Sequence, residues 1–241
     1  DAVSPTRKKE GRKIDTRHRM ELPIFQDNLR SSGGWATTLS AARDKWRAAV
    51  TQTPQLQARV RTYQIEQSRH LDEIGRDNFA AAAQLVAWWA ADPGAKLSAA
   101  RLIELNRTLA GAEAAAGLWR KAEAAPLNES HAPPLAVMLP RLVENAFDWF
   151  STEGFSEMNL RLLDMQPFAT AQEPTALLAA SFYTERAGLP PLIIPADDAT
   201  LEHYNAALAA AFRMLTQPLI EFFADCLMRT INLMLAEQSD Q

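Results

Sequence analysis

Met165-Gln-Pro-Phe-Ala-Thr-Ala-Gln-Glu-Pro-Thr-Ala-Leu177 is a loop that opens into a helix at Pro174. Proline lacks a backbone N–H and holds φ near −65°, which suits the first turn of a helix, where N–H groups have no partner inside the helix. The alanines and leucines that follow run on to Gly188 and Pro190-Pro191, which end the helix. Ahead of the loop stand Gly117-Leu-Trp-Arg120, His131-Ala-Pro-Pro134, Leu139-Pro140 and an amphipathic run ending Phe147-Asp-Trp-Phe150. Behind it comes Leu201-Glu-His-Tyr-Asn-Ala-Ala-Leu208.

Outward from the loop the apolar period is helical, which predicts an all-α class with about eight helices. Leu39, Ala42, Trp46 and Ala49 share one face, and Leu56, Val60, Tyr63 and Leu71 continue after a Thr53-Pro54 start. Phe79, Ala82, Val86 and Trp89 form a stripe stopped by Asp92-Pro-Gly94. Ser98 is placed to cap a helix burying Leu102, Leu105 and Leu109, with Gly111 ending it. Pro133-Pro134 predicts the next start, and Leu139, Leu142, Val143, Ala146, Phe147 and Phe150 give the broad stripe of a central helix. Asp197 or Asp198 caps a helix burying Tyr204, Leu208, Ala211 and Leu215, and Pro218 opens the last. Residues 118–128 are the one candidate for extended structure, with a short β-hairpin and a surface loop both open, because Ala122, Ala124 and Ala125 are poor strand formers. The stretch from Trp149 to Gln166 is shorter than a core-crossing helix needs at ~1.5 Å per residue: either Ser156–Leu160 bridges it tightly or a flexible segment is omitted there, and both readings stay open.

The chain has 241 residues, 47% of them hydrophobic, enough for a sizeable core. Its net charge of −4 gives no drive toward nucleic acid or an anionic membrane. Residues 1–34 read as a basic flexible arm: positions 1–19 carry seven Lys/Arg against three acids and almost no apolar side chain, too little burial to offset ordering. Residues 35–94 read as an N-terminal helical extension and 95–241 as the main helical domain. The single Cys226, in an apolar stretch, reads as a buried structural thiol, and no disulfide forms within the chain. No run approaches the ~20 apolar residues of a membrane span and no cleavable leader pattern opens the chain, so a cytoplasmic setting is expected.

Conventional chemistry has no foothold. His18, His70, His131 and His203 lack ligand spacing, so no metal site is expected. No Gly-x-Ser-x-Gly elbow, phosphate-binding Walker loop or dinucleotide fingerprint occurs. Arg120, after Gly117 and Trp119, stands out as an exposed charge, with a structural salt bridge as the plainer reading.

In order and approximate spacing, the loop and its flanking segments resemble the Fic (Fido) family over roughly residues 55–235. The resemblance implies a Fic-like helical domain whose loop, His-Pro-Phe-x-Asp-Gly-Asn-Gly-Arg-x-x-Arg in the family, transfers AMP from ATP to a protein hydroxyl. Aligned on Pro167-Phe168, Gln166 stands at the catalytic histidine and Thr170 at the metal-binding acid. Ala171, Gln172 and Glu173 replace the Gly-Asn-Gly turn, and Pro174 and Leu177 replace the two arginines. Gly117, Trp119 and Arg120 fall where the family has a flap that holds a target peptide. Ser68 and Asp72, followed by Glu73, match the spacing of the family's inhibitory helix, whose glutamate pairs with the second arginine; Leu177 at that place excludes the pair.

An amide has no proton to take up near neutral pH, so Gln166 is no general base, and the neutral Thr170 is a poor magnesium ligand. Losing two arginines removes charge-assisted phosphate bonds worth ~1.5–3 kcal/mol each. The expectation is a Fic-like protein that lacks standard protein AMPylation, needs no cofactor and acts as a binding or regulatory module for a protein partner. The alternative is an active transferase using ATP and magnesium through a non-standard site, with Gln166 and Gln172 orienting substrates and Arg120 or Arg161 supplying charge. No membrane or nucleic-acid partner is indicated, and no oligomeric state is implied.

Overall fold

Apolar stripes at helical spacing fold as ten α-helices and one 3-10 turn in a computed structural model that describes residues 34–149 and 155–239. The helices are α1 Gly34–Gln52, α2 Gln55–Glu66, α3 Leu71–Ile74, α4 Arg76–Ala91, α5 Ala99–Ala110, α6 Leu139–Trp149, α7 Phe155–Met165, α8 Gln172–Arg186, α9 Asp198–Phe212 and α10 Gln217–Ser239. The 3-10 turn Ala136–Met138 leads into α6. The basic stretch 1–33 and Phe150 lie outside the described residues.

Helix α8 occupies the centre. Ala176, Leu178, Ala179, Ala180, Ser181 and Thr184 are fully enclosed, and the helix packs against α4, α5 and α7. Its small residues let neighbouring backbones approach, and its buried hydroxyls have partners. Ser181 Oγ accepts from Leu192 N–H at 3.1 Å, and Thr184 donates to Pro190 O at 2.9 Å, tying the segment after the helix back onto it. Helix α10 packs on α1, α2 and α9. One buried cluster runs from Leu39 in α1 to Met234 in α10, and Phe79, Ala82, Ala83 and Val86 of α4 belong to it together with Leu102 and Leu105 of α5.

Local signals hold at the caps. Ser98 Oγ accepts from Arg101 N–H at 3.3 Å and Asp197 Oδ1 from Thr200 N–H at 2.9 Å. Three expectations change. The helix expected from Pro133-Pro134 starts at Leu139, because Leu135 takes polyproline angles, φ −59 and ψ 139, and the chain stays extended until the 3-10 turn. Among the described residues of its stripe only Leu139 and Val143 are fully buried; Leu142, Ala146 and Phe147 are partly covered, so α6 is peripheral and α8 central. Leu215 is 62% exposed, since α9 ends at Phe212 and Met214 turns the chain at φ 67. No β-hairpin forms at 118–128: the segment makes no strand ladder, and a single antiparallel bridge joins Trp119 to Phe168. The segment Ser156–Leu160 is helical, within α7.

Candidate functional site at the loop before helix α8

The loop leaves α7 at Gln166 and enters α8 at Gln172, two residues ahead of the start expected at Pro174. Pro174 therefore sits in the first turn, where its missing N–H is no loss. Both ends of the loop are left-handed without glycine: φ is 42° at Gln166 and 49° at Ala171. Such a conformation costs an L-residue ~1–2 kcal/mol and persists where packing enforces it. Ala171, which the resemblance aligns with the family's first glycine, takes a glycine-like backbone and buries its methyl group, 4% exposed.

The two glutamines of the loop are satisfied by the protein itself. Gln172 Oε1 accepts from Phe168 N–H at 3.0 Å, and its Nε2 donates to Leu162 O at 2.8 Å. Gln166 Nε2 donates to Ala125 O at 2.9 Å and lies 3.5 Å from His131 Nδ1. His131 Nδ1 accepts from Leu127 N–H, which leaves Nε2–H to donate to Asp164 O, 2.9 Å in each case; the buried ring stacks on Phe212 at 4.5 Å. Burial pushes the Asp164 carboxyl above its ordinary range.

Arg120, expected to be an exposed charge, is 6% exposed and spent on backbone. Its guanidinium donates to Gln166 O at 2.7 Å, Ala122 O at 2.9 Å, Pro134 O at 2.6 Å and Met165 O at 3.3 Å, with the Glu123 carboxylate 3.9 Å away. Carbonyls converging from four places draw the cation inward. Its own N–H donates to Pro167 O at 2.8 Å, and the rings of Trp119 and Phe168 stack at 4.9 Å. Gly117 turns at φ 69, with Ile103 O only 3.0 Å from where a Cβ would stand. The expected flap residues are thus fastened onto the loop.

Asn106 of α5 is the residue that sequence reading missed. Fully buried, it accepts from Gly117 N–H at 2.8 Å and donates to Thr170 O at 2.9 Å and Thr175 Oγ1 at 3.1 Å, joining α5, the flap segment, the loop and α8. An asparagine on the stripe of Leu102, Leu105 and Leu109 was its one sequence signal, since a buried amide needs partners. Thr170 Oγ1 is buried without a partner.

At the start of α8, Glu173 forms an ion pair with Arg69. His70 Nε2 is 3.7 Å from the same carboxylate, and Arg69 lies 5.7 Å over the Tyr204 ring. Burial, then the neighbouring Arg69, holds the His70 pKa down at about 4. Ser68, Arg69, His70, Glu173 and Leu177 share the lining of a cavity of about 20 Å³, room for one water. The structure so brings Ser68 to Glu173 and Leu177, while Asp72 and Glu73 stay exposed on the first turn of α3. Among the described residues no cluster of three metal-ligating side chains forms, and no helix is long and apolar enough to cross a membrane.

No family model matches the chain. Two curated proteins named protein adenylyltransferase Fic, from Drosophila willistoni and Drosophila ananassae, are each 29% identical over 119 residues, which is 46% of this chain and 24% of each relative's length. Among solved structures, Fic-1 from C. elegans superposes with a TM-score of 0.67 at 20% identity, covering 90% of this chain and 73% of that one. A Fic domain containing signaling protein from Bacteroides thetaiotaomicron gives 0.58 at 15% identity, covering 87% of this chain and 95% of its own. At such identities it is the architecture that is shared: this chain has the fold of the Fic-domain proteins it superposes on.

Proposed function

We propose that this Fic-fold chain is a binding or regulatory module for a protein partner, with nucleotide transfer given up at the loop before α8. One observation carries the reading: the groups that would face a phosphate are turned on each other. Gln172 takes the Phe168 N–H, and the Glu173 carboxylate, paired with Arg69, stands in the first turn of α8, where the helix dipole favours an anion. A phosphate arriving there meets a negative charge already installed.

The residues do not fit ATP with magnesium. The family's histidine place holds Gln166, whose amide cannot take a proton and is tied to Ala125 O. The acid's place holds the Thr170 hydroxyl, neutral and closed off from solvent, where magnesium calls for carboxylate and phosphate oxygens. The clamp places hold Pro174 and Leu177, and the guanidinium of Arg120 on the flap segment is committed to four carbonyls. In place of that chemistry the loop has packing around it: the Trp119–Phe168 stack, the Asn106 node and the Arg69–Glu173 pair. That is the part a rigid binding surface needs.

The test is incubation of the protein with α-labelled ATP and Mg²⁺, alone and with a cell extract. No label should enter any protein above background. Label transfer that disappears in Gln166→Ala would establish a transferase instead.

A further inference from the structure

We infer that the cleft between α1, α2, α4 and the C-terminal end of α8 binds a small organic anion with an apolar body. It lies at the far end of α8 from the loop, a separation of ~20 Å for a helix of this length, and it stands independently of the function proposed above. Its volume is about 650 Å³, within the range of small-molecule sites. Val50, Ala58, Ala87, Ala90, Leu189 and Pro190 supply apolar wall. Trp88, 66% exposed, shares a helix face with the lining residues Gln84 and Ala91 at i−4 and i+3 and so neighbours that wall.

The charges decide the ligand's sign. Arg47, Arg61 and Glu185 line the cleft, two cations against one acid. Glu185 is committed to Arg61, which also donates to Gln64 Oε1 at 2.8 Å, and the side chains are only 12% and 20% exposed. Arg47 is exposed and pairs with no acid among the described residues. Its stem crosses Gly188, where a Cβ would meet Arg47 Cδ at 2.8 Å; at φ 79 that glycine lets the arginine lie flat at the end of α8. An arginine so placed, beside an apolar hollow and with no internal partner, offers its fork to a carboxylate. The apolar body then covers the alanine and proline walls and the Trp88 ring.

Three probes of one shape test this by NMR titration of the whole chain: 4-phenylbutyrate, 4-phenylbutylamine and 4-phenylbutanol. The carboxylate should bind saturably, and the amine and alcohol at least about tenfold more weakly. Arg47→Gln should weaken the carboxylate about tenfold, the loss of one charge-assisted contact. Ala58→Trp, which fills the cleft from an exposed helix position, should abolish binding. Both changes fall on exposed residues, so unaltered melting confirms that the fold is intact. An amine that matches the carboxylate, unchanged affinity in Arg47→Gln, or no saturable binding by the carboxylate overturns the inference.

Discussion

Ala171 shows how one residue can keep a backbone whose usual occupant is gone. At φ 49 it stands where glycine is at ease. Substitution by glycine relieves ~1 kcal/mol of left-handed strain, but loses a buried methyl worth ~0.8 kcal/mol and adds ~0.5–1 kcal/mol of unfolded-chain freedom. Ala171→Gly should therefore shift stability by no more than about 1 kcal/mol, whereas Ala171→Val, branched at a positive φ, should cost more than about 2 kcal/mol. Urea unfolding separates the two; equal stability of Val and wild type would deny the left-handed turn. Arg120→Met keeps apolar bulk but strands four carbonyls, and should cost about 3 kcal/mol in the same assay; a loss under about 1 kcal/mol would show those bonds to be idle. At this scale the sequence reveals what is local. The Ser98 and Asp197 caps depend on neighbours three residues away and were legible. Asn106 reaches Thr170, 64 positions on, and Arg120 is drawn in by carbonyls from four places, so neither burial was visible before the fold was known.

Between elements, the segment before α3 and the start of α8 meet with the charges of the family's arrangement exchanged. The resemblance implied an acid on the first and an arginine on the second; Arg69 and Glu173 hold the reverse. Leu177 excluded the expected pair, as the sequence indicated, yet the Arg69–Glu173 contact one helical turn earlier joins positions 104 apart and was not visible from local spacing. The two side chains are 28% and 34% exposed, so a double-mutant cycle with Arg69→Gln and Glu173→Gln should give a coupling of about 0.5–1 kcal/mol. The neighbouring His70 adds a pH signature. Its pKa is about 4 in the fold against an ordinary 6.5, although Glu173 and Glu73 lie 3.7 and 4.0 Å away, because burial and Arg69 outweigh them. Between those values the unfolded chain takes up a proton that the fold refuses, so stability falls as pH drops from 6.5 toward 4, by on the order of 2–3 kcal/mol. Asp164 and Glu185, whose carboxyls burial pushes upward, act in the opposite sense. The difference between wild type and His70→Gln isolates the histidine: the variant should lose this part of the slope, and identical slopes would contradict it.

For the whole molecule, apolar stripes identified most helices and the class, but they named the wrong centre. The stripe of α6 reads as broad and buried because its residues are all apolar and mostly large, yet it packs chiefly along one side, on α7 and α5. Helix α8 shows little stripe at all. Buried at every position from 174 to 184 except Leu177, packed against α4, α5 and α7, and rich in alanine, serine and threonine, its middle has no solvent side to set a period. The core also runs unbroken across residue 94, from Phe79 and Val86 of α4 into Leu102 and Leu105 of α5. A scaffold of this kind holds the loop before α8 in place without needing its chemistry, which is the account's central claim. Calorimetric titration of the protein with ATP and Mg²⁺ tests it most directly. The account predicts no saturable heat up to millimolar nucleotide, in wild type and in Gln166→Ala and Gln172→Ala alike; a dissociation constant tighter than about 100 μM (about −5.5 kcal/mol), lost in either variant, would contradict it.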